Sequence, residues 1–355
     1  MKKTLTALGG DIFAGSFTWG VLQAGYKVLA HVEHSTYGHD TARLNFPSLP
    51  IIRWRELEEQ EFYQARNWHN VDLMYCNPPC APWSSARRPT ATRTKPEAWR
   101  DDERVHWTSD LANLGRTIEA KTWVWESIIN TWQRGREFVD FIAEGWAASG
   151  YSMSCILQNN MYTWGTQNRK RIFVVAHKYP LVYPEFQPKP WTTDELLETV
   201  HVNESEKRWL PPERKLLWEM SESYVGSLVR AQKDWIEQGH TMTLGTQSFL
   251  DYRLLGHLPP RVFLSDSTRM HPHEPRYFTW GEMKALCGLL PSWQTAEKSM
   301  NARALELSRA VLCGTGAWIA TAVKDGLKHK PIKHPVHQIF DMRDPDNGTV
   351  EPWTL

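Results

Sequence analysis

Short apolar runs alternate with amphipathic segments along most of the chain. A short apolar run bounded by turn residues predicts a buried strand, whereas apolar residues three and four positions apart predict a helix. Strand-like runs cover 5–8, 26–32, 51–52, 71–75, 122–127, 153–158 and 172–176. Helical patterns cover 19–24, 37–45, 111–121 and 138–150. This alternation predicts an α/β fold with a mixed, mostly parallel sheet and helices on both of its faces.

The pattern changes after Lys178, where prolines become frequent and Trp, Lys and Glu are dense. This change predicts a second, smaller lobe outside the α/β domain. We expect a first domain at 1–178, the smaller lobe at 179–270, a return to the first domain at 271–330, and a C-terminal tail at 331–355.

The returning segment carries a clear helix start. Thr279 and Glu282 form a predicted capping box within a helical pattern over 276–290. Another helix is expected within 302–324, around an interruption at Gly314-Thr-Gly316. The tail beyond it holds four prolines and is expected to be irregular.

Composition is that of an ordinary globular protein. Of 355 residues, 41% are hydrophobic and 23% charged, and the net charge is +1. The five cysteines are scattered without a Cys-x-x-Cys pair, which favours a reducing compartment and argues against a disulfide framework or a structural zinc. No apolar stretch reaches about 18 residues, so we expect no membrane span. The pair His271 and His273 lies next to Glu274, but Pro272 separates the histidines and no further ligand is near, so we expect no metal.

The first predicted strand, turn, helix and second strand have the layout of a nucleotide-binding βαβ unit. The turn is Asp11-Ile-Phe-Ala-Gly15, and Glu33 closes the second strand. A glycine turn lets the backbone approach a ligand, and the acid can accept both ribose hydroxyls. The usual Gly-x-Gly spacing is missing, so an ordinary turn without a ligand is the alternative.

Cys80 follows a strand that Pro78 and Pro79 end abruptly. A thiol on a rigid turn at the carboxyl end of a strand is well placed to act as a nucleophile. The alternative is a small apolar core residue. Between Ser84 and Lys95 there are four basic residues and no acid, which suits either a phosphate backbone or a solvated loop.

Two further polar groups are expected at the sheet edge that carries Cys80. Glu126 lies near the end of the strand predicted at 122–127. If the segment after it, Gln167-Asn-Arg-Lys-Arg171, is extended, Gln167, Arg169 and Arg171 share one face. Three long polar groups on one face suggest recognition of an anion or a planar polar group.

Together these motifs resemble the DNA (cytosine-5) methyltransferases. Asp11–Gly15 is similar to the family's first motif, and Glu33 stands at its ribose-binding acid. Asn77-Pro-Pro-Cys80 matches its Pro-Cys loop. Further matches are Trp125-Glu126-Ser127 for its Glu-Asn-Val, Gln167–Arg171 for its Gln-x-Arg-x-Arg, and Arg276–Glu282 for its ninth motif. The order and spacing of these motifs make the resemblance specific.

The resemblance implies a Rossmann-like domain that uses S-adenosyl-L-methionine, with a smaller target-recognition lobe. It implies that Cys80 attacks carbon-6 of a flipped-out cytosine in DNA, assisted by Glu126, Arg169 and Arg171. The residues it implies for the donor are Asp11, Phe13, Ala14, Gly15, Glu33, His34, Asn77, Pro79 and Thr315. The residues expected to bind the nucleotide are Ser84, Ser85, Arg87, Arg88 and Gln167.

The expected partner is double-stranded DNA, bound by a monomer in the cytoplasm of a bacterium or a phage-infected cell. A cognate restriction system is a further candidate partner.

The sequence leaves three alternatives open. An amino-methyltransferase also has Asn-Pro-Pro, but it needs an aromatic residue next to stack on the base, and Cys80 cannot stack. The glycine turn is short, and Gly314-Thr-Gly-Ala317 departs from the family's last motif. These departures leave room for a modified donor or an RNA target. The third alternative is a catalytically silent DNA-binding homologue.

Overall fold

The computed structural model describes residues 4–59, 68–84, 99–212, 214–215, 218–219, 256–260 and 269–355. The chain forms two compact units. The first comprises Met1–Pro190, Gln294–Ala296 and Arg309–Leu355, and the second Trp191–Trp293 and Glu297–Ser308. The second unit thus extends past residue 270, where we expected the return to the first domain.

The first unit is built on a nine-stranded sheet, counted over the described residues. Its strands are β1 (Thr6–Gly10), β2 (Lys27–Glu33), β3 (Ile51–Arg53), β4 (Leu73–Cys76), β5 (Thr122–Ile128), β6 (Ser152–Asn159), β7 (Lys170–His177), β10 (His337–Met342) and β11 (Thr349–Pro352). The order across the sheet is β11-β10-β6-β7-β5-β4-β1-β2-β3. Only β7 and β11 run antiparallel to their neighbours, so the predicted mostly parallel sheet is confirmed.

Seven helices of the described segments connect or flank these strands. They are α1 (Ser16–Gln23), α2 (His39–Asn45), α3 (Trp54–Glu59), α4 (Arg104–Thr117), α5 (Ile129–Arg134), α6 (Arg136–Ala147) and α10 (Cys313–Gly326). The chain order reverses at β1, which lies between β4 and β2. In open α/β sheets, ligands bind at the carboxyl ends of the strands beside such a reversal.

Strand β4 shows why helices cover both faces of the sheet. All four of its residues are buried, because successive side chains point to opposite faces. Met74 and Cys76 join one apolar cluster, and Leu73 and Tyr75 join the other. The first cluster includes residues of α4 and α6, and the second includes residues of α1 and α10. The prediction of helices on both faces is confirmed.

The C-terminal tail was expected to be irregular, but it forms two strands of the sheet. Strand β10 pairs in parallel with β6, and β11 then pairs with β10 at the edge of the sheet. Trp353 anchors the end: its Nε1 donates to Asp140 Oδ1 at 2.9 Å, and its ring meets Trp132 edge to face at 5.7 Å. The pairing partner of β10 lies far away in the sequence, so local patterning did not reveal the strand.

Replacing Trp353 by Ala is expected to destabilise the first unit by ~3–5 kcal/mol, because it removes a buried indole and leaves a cavity. Only 3% of the Trp353 surface is exposed. Urea unfolding followed by circular dichroism measures the loss. Val350→Ala in the adjoining strand β11 is the control, since Val350 is 58% exposed. Equal stability of the two variants would contradict the anchoring role of Trp353.

The second unit contains α7 (Thr193–Leu197), β8 (Arg208–Trp209), β9 (Arg276–Tyr277) and α8 (Trp280–Leu286), and helix α9 (Met300–Arg309) lies almost entirely within it. The capping box of Thr279 and Glu282 is confirmed. The helix begins at Trp280, directly after the predicted N-cap Thr279, and Arg276 before it pairs with Trp209 in the β8–β9 ribbon. The guanidinium of Arg276 also binds both carboxylate oxygens of Glu282, at 2.7 and 2.8 Å. The pairing of Arg276 with Trp209 joins the segment around β9 to the rest of the second unit.

The glycines at 314 and 316 do not interrupt a helix, contrary to expectation. Both lie inside α10, near its start. A side chain at Gly314 would collide with the carbonyl oxygen of Trp164, and one at Gly316 would press on Phe17. These glycines therefore permit close packing. Within the part of the chain that the structure describes, no helix is both long and apolar enough to cross a membrane.

Candidate active site

Cys80 lies just beyond β4, on a turn that is held at both ends. The Asn77 amide N–H donates to the Gly10 carbonyl at 3.0 Å, which fixes the turn to β1. On the other side, the Trp83 N–H donates to the Cys80 carbonyl at 3.2 Å, and the Trp83 ring is buried. Cys80 itself is half-buried, whereas Cys76 inside the strand is fully buried. Burial therefore distinguishes the partly exposed residue Cys80 from the core residue Cys76.

The Glu126 carboxyl is buried at the end of β5 and is held from two sides. Asn77 Nδ2 donates to Glu126 Oε2 at 2.7 Å, and Arg171 Nε lies 3.1 Å from Glu126 Oε1. The antiparallel pairing of β5 with β7 places Arg171 opposite Ile128 and so brings the guanidinium to this end of the sheet. The sequence did not reveal that Asn77 would hold Glu126, since these residues are far apart in the chain.

The segment before β7 has the alternation that the sequence predicted. Gln167 and Arg169 are buried and Arg171 is partly buried, whereas Asn168 and Lys170 are exposed. Sequence reasoning missed Asn159, whose Oδ1 accepts from the Arg169 amide at 2.9 Å. Three consecutive amide residues at 158–160 were the available signal for a polar support at the end of β6.

The charges of this cluster act on Cys80. Burial raises the pKa of the Cys80 thiol above its ordinary value, and the positive charges of Arg171 and Arg169 oppose that rise. Burial also raises the pKa of the Glu126 carboxyl, again opposed by the two arginines. A thiol, a carboxyl with a raised pKa and two guanidinium groups therefore lie together at one sheet edge.

Glu126→Gln is expected to become more stable relative to the wild type as the pH rises. The folded-state pKa of Glu126 lies above the ordinary value of 4.5, so the folded protein holds this proton more tightly than the unfolded chain. The contribution to stability is complete below 4.5 and is lost as the pH rises through the folded-state pKa. The amide of Gln resembles the protonated carboxyl but does not titrate, so its contribution to stability does not change with pH.

Urea unfolding of both proteins over a pH series measures this difference. Glu144→Gln is the matched control, because Glu144 is exposed on α6. A stability of Glu126→Gln that falls relative to the wild type with rising pH would contradict the assignment, as would a difference that does not change with pH.

The turn Asp11–Gly15 follows β1 at the neighbouring position of the sheet. Asp11 (φ 51°), Phe13 (φ 55°) and Gly15 (φ 94°) all have left-handed backbone conformations. Such a backbone is costly for the two non-glycine residues and requires support from its surroundings. Part of that support is Gly38, where a side chain would collide with the backbone of Phe13 and Ala14.

Glu33 supports the same turn from the end of β2. Its Oε1 accepts from the Ile12 N–H at 2.8 Å, and burial together with the Asp11 charge raises its pKa well above the ordinary value. A nucleoside donor needs a carboxylate for its ribose beside a backbone that it can approach closely. Glu33 and the turn at Gly15 supply residues of these types, which is the basis for expecting S-adenosyl-L-methionine at this position.

Thr315 lies in α10, and its Oγ1 is 3.4 Å from Thr163 Oγ1. Ser16 Oγ donates to the Val311 carbonyl at 2.7 Å, which ties the segment before α10 to the start of α1. Ser84 is half-buried beside the Cys80 turn. Ser85, Arg87 and Arg88 lie outside the described residues. In the described part of the chain, no cluster of residues suits a metal ion.

A family model for C-5 cytosine-specific DNA methylases matches residues 10–322 of the chain. The chain belongs to this family. The matched range covers most of the chain, so the family that the motifs indicated is confirmed.

Individual relatives of this methylase-family chain agree with that assignment. The Type II methyltransferase M1.HphI of Haemophilus parahaemolyticus is 27% identical over 174 residues, or 47% of this chain and 45% of that protein. The Type II methyltransferase M.HgiBI of Herpetosiphon aurantiacus is 25% identical over 217 residues, or 59% of this chain and 47% of that protein. The chain thus spans about half the length of these curated relatives.

Solved structures show the fold. The Entamoeba histolytica methyltransferase EhMeth superposes with a TM-score of 0.64 at 13% identity, covering 92% of this chain and 100% of that chain. The likeness and the mostly parallel sheet confirm the expected methyltransferase fold.

Proposed function

We propose that the protein transfers a methyl group from S-adenosyl-L-methionine to carbon-5 of a cytosine in DNA. The observation that carries this proposal is the partly exposed residue Cys80 beside the buried Glu126 carboxyl, which Asn77 and Arg171 hold in place. The family to which the chain belongs supports the same chemistry.

Carbon-5 of cytosine is a weak nucleophile until a thiolate adds to carbon-6. The sulfur of Cys80 forms this bond, and the pyrimidine ring becomes an enamine that is nucleophilic at carbon-5. Glu126 supplies a proton at ring nitrogen N3, for which its raised pKa suits it. Arg171 and Arg169 stabilise the negative charge on the thiolate and hold the oxygen side of the ring. Carbon-5 then takes the methyl group, after which its proton leaves to the solvent, the Cys80 thiolate is released from carbon-6, and N3 returns its proton to Glu126, so that the aromatic ring is restored.

The donor, when bound, supplies the methyl group as an electrophilic sulfonium substituent. We assign its binding to the turn after β1, the end of β2, the Cys80 turn and the start of α10. The residues are Asp11, Phe13, Ala14, Gly15, Glu33, His34, Asn77, Pro79 and Thr315. Of these, Asn77 has a second task, since its amide holds Glu126.

A base inside a duplex cannot reach Cys80, so the cytosine must be flipped out of double-stranded DNA. Gln167 and Ser84, together with Ser85, Arg87 and Arg88, are our candidates for contacts to the flipped nucleotide. The second unit, Trp191–Trp293 with Glu297–Ser308, is our candidate for reading the sequence. We propose that a monomer carries out this methyl transfer in the cytoplasm, with a restriction system as a candidate partner.

Expression in a bacterial host that lacks cytosine methylation tests the function, with bisulfite sequencing of the host DNA as the measurement. We expect protected cytosines at one recurring sequence, and none with Cys80→Ala. Unprotected cytosines together with methylated host RNA would favour the RNA alternative. If the protein is folded but bisulfite converts every cytosine in both the DNA and the RNA of the host, the catalytically silent homologue is supported.

A further inference from the structure

The side chain of His34 lies between two tryptophan rings. The imidazole stacks on Trp54 at 4.5 Å with an interplanar angle of 18°, and on Trp107 at 5.0 Å with an angle of 7°. Trp54 begins α3, and Trp107 lies in α4, so two separate elements clamp one ring. Only 6% of the His34 side chain is exposed. A ring held on both faces has little freedom to turn.

Both ring nitrogens of His34 face carboxylates. Nδ1 lies 2.9 Å from Asp11 Oδ2, and Nε2 lies 3.4 Å from Asp110 Oδ2. The main-chain N–H of His34 donates to the other Asp11 oxygen, Oδ1, at 2.8 Å. Residue 34 therefore binds both oxygens of the Asp11 carboxylate, once through its backbone and once through its ring.

Asp11 is the first residue of the turn that we assign to the donor. Its φ of 51° is in the left-handed region, and its N–H donates to the Val32 carbonyl at 2.9 Å. The Asp11 side chain is thus fixed by His34 while its backbone begins the turn. The same carboxylate raises the pKa of the neighbouring Glu33, so the position of Asp11 also sets the charge environment of that acid.

We propose that His34 is a positioning residue for donor binding. It acts through its hydrogen bond to Asp11. The clamp of Trp54 and Trp107 aims Nδ1 at Asp11, and the paired Asp11 holds the turn in the shape that receives the nucleoside. This inference rests on the proposed function, because it deepens the role of the donor turn.

Isothermal titration calorimetry with S-adenosylhomocysteine tests the proposal without any need for turnover. His34→Ala is expected to bind this ligand about tenfold more weakly or worse, since a hydrogen bond to a charged group is lost. His34→Asn is expected to stay within about threefold of the wild type, because the Asn amide nitrogen can replace Nδ1 as a donor to Asp11. His106→Ala, an exposed position one residue before Trp107, is the control and should bind like the wild type.

The same variants are then compared in methyl transfer, where His34→Ala should raise the KM for S-adenosyl-L-methionine and leave kcat near the wild-type value. Tight binding by His34→Ala would overturn the positioning role, and equally weak binding by Ala and Asn would show that Asp11 is not the intermediary. A wild-type protein that binds no S-adenosylhomocysteine would instead refute the proposed function itself. Thermal unfolding of each variant separates a local effect from loss of the fold.

Discussion

Cys80→Ser is expected to lower the single-turnover rate of methyl transfer by about 10⁴-fold or more, as losses of a nucleophile do elsewhere. A serine hydroxyl at this position gives up its proton far less readily than a thiol, and the arginines that face Cys80 cannot compensate for that difference. Transfer of a tritiated methyl group to duplex DNA at saturating donor measures the rate. The donor affinity should change little, because the substitution leaves the turn at Asp11–Gly15 untouched.

Cys155→Ala is the matched control for this variant. Cys155 is a buried cysteine of the sheet, in β6, and we assign it no part in the chemistry. Its loss should leave the rate close to that of the wild type. A Cys80→Ser protein that transfers methyl groups within about tenfold of the wild type would contradict the nucleophile assignment.

Glu126→Gln is expected to lower kcat by about 10²- to 10⁴-fold, the usual range for loss of a general acid. The introduced amide would still accept the hydrogen bond from Asn77, but it has no proton to give to the pyrimidine ring. As the pH rises, Cys80 gains its thiolate while Glu126 loses its proton, so the two titrations offset each other and the wild-type rate should level off above the raised pKa of Glu126. In the variant only the Cys80 titration remains, so its rate should go on rising over the same pH range.

Steady-state rates from acid to alkaline pH check both parts of this expectation. Glu144→Gln serves again as the control, since it removes an exposed carboxylate from the same unit. A Glu126→Gln enzyme within a few-fold of the wild type, or with an unchanged pH profile, would remove Glu126 from the mechanism.

The local pattern of the sequence was sufficient for the strands and for the polar groups at their ends. Apolar runs placed β4 and β5 within two residues of their observed bounds, because buried strands need continuous apolar residues. Pro78 and Pro79 indicated where the chain leaves the sheet. The alternation from Gln167 to Arg171 was also readable, since it depends only on the extended backbone.

Contacts between distant segments were beyond local patterning. Strand β10 forms by pairing with β6. That pairing cannot be seen from the local sequence of β10, a short run of residues between prolines. The bond from Asn77 to Glu126 and the clamp on His34 likewise join segments that only the folded sheet brings together. The extent of the second unit beyond residue 270 was not readable for the same reason, since Arg276 pairs with Trp209, far back in the chain.

Covalent trapping tests the central claim most directly. Duplex DNA with 5-fluorocytosine at the recognition sequence, incubated with the protein and S-adenosyl-L-methionine, should form a stable adduct, because fluorine cannot leave as the carbon-5 proton does. After digestion, peptide mass spectrometry should place the nucleotide, methylated at carbon-5, on Cys80. A methylated product without an adduct, or an adduct on another residue, would contradict the account.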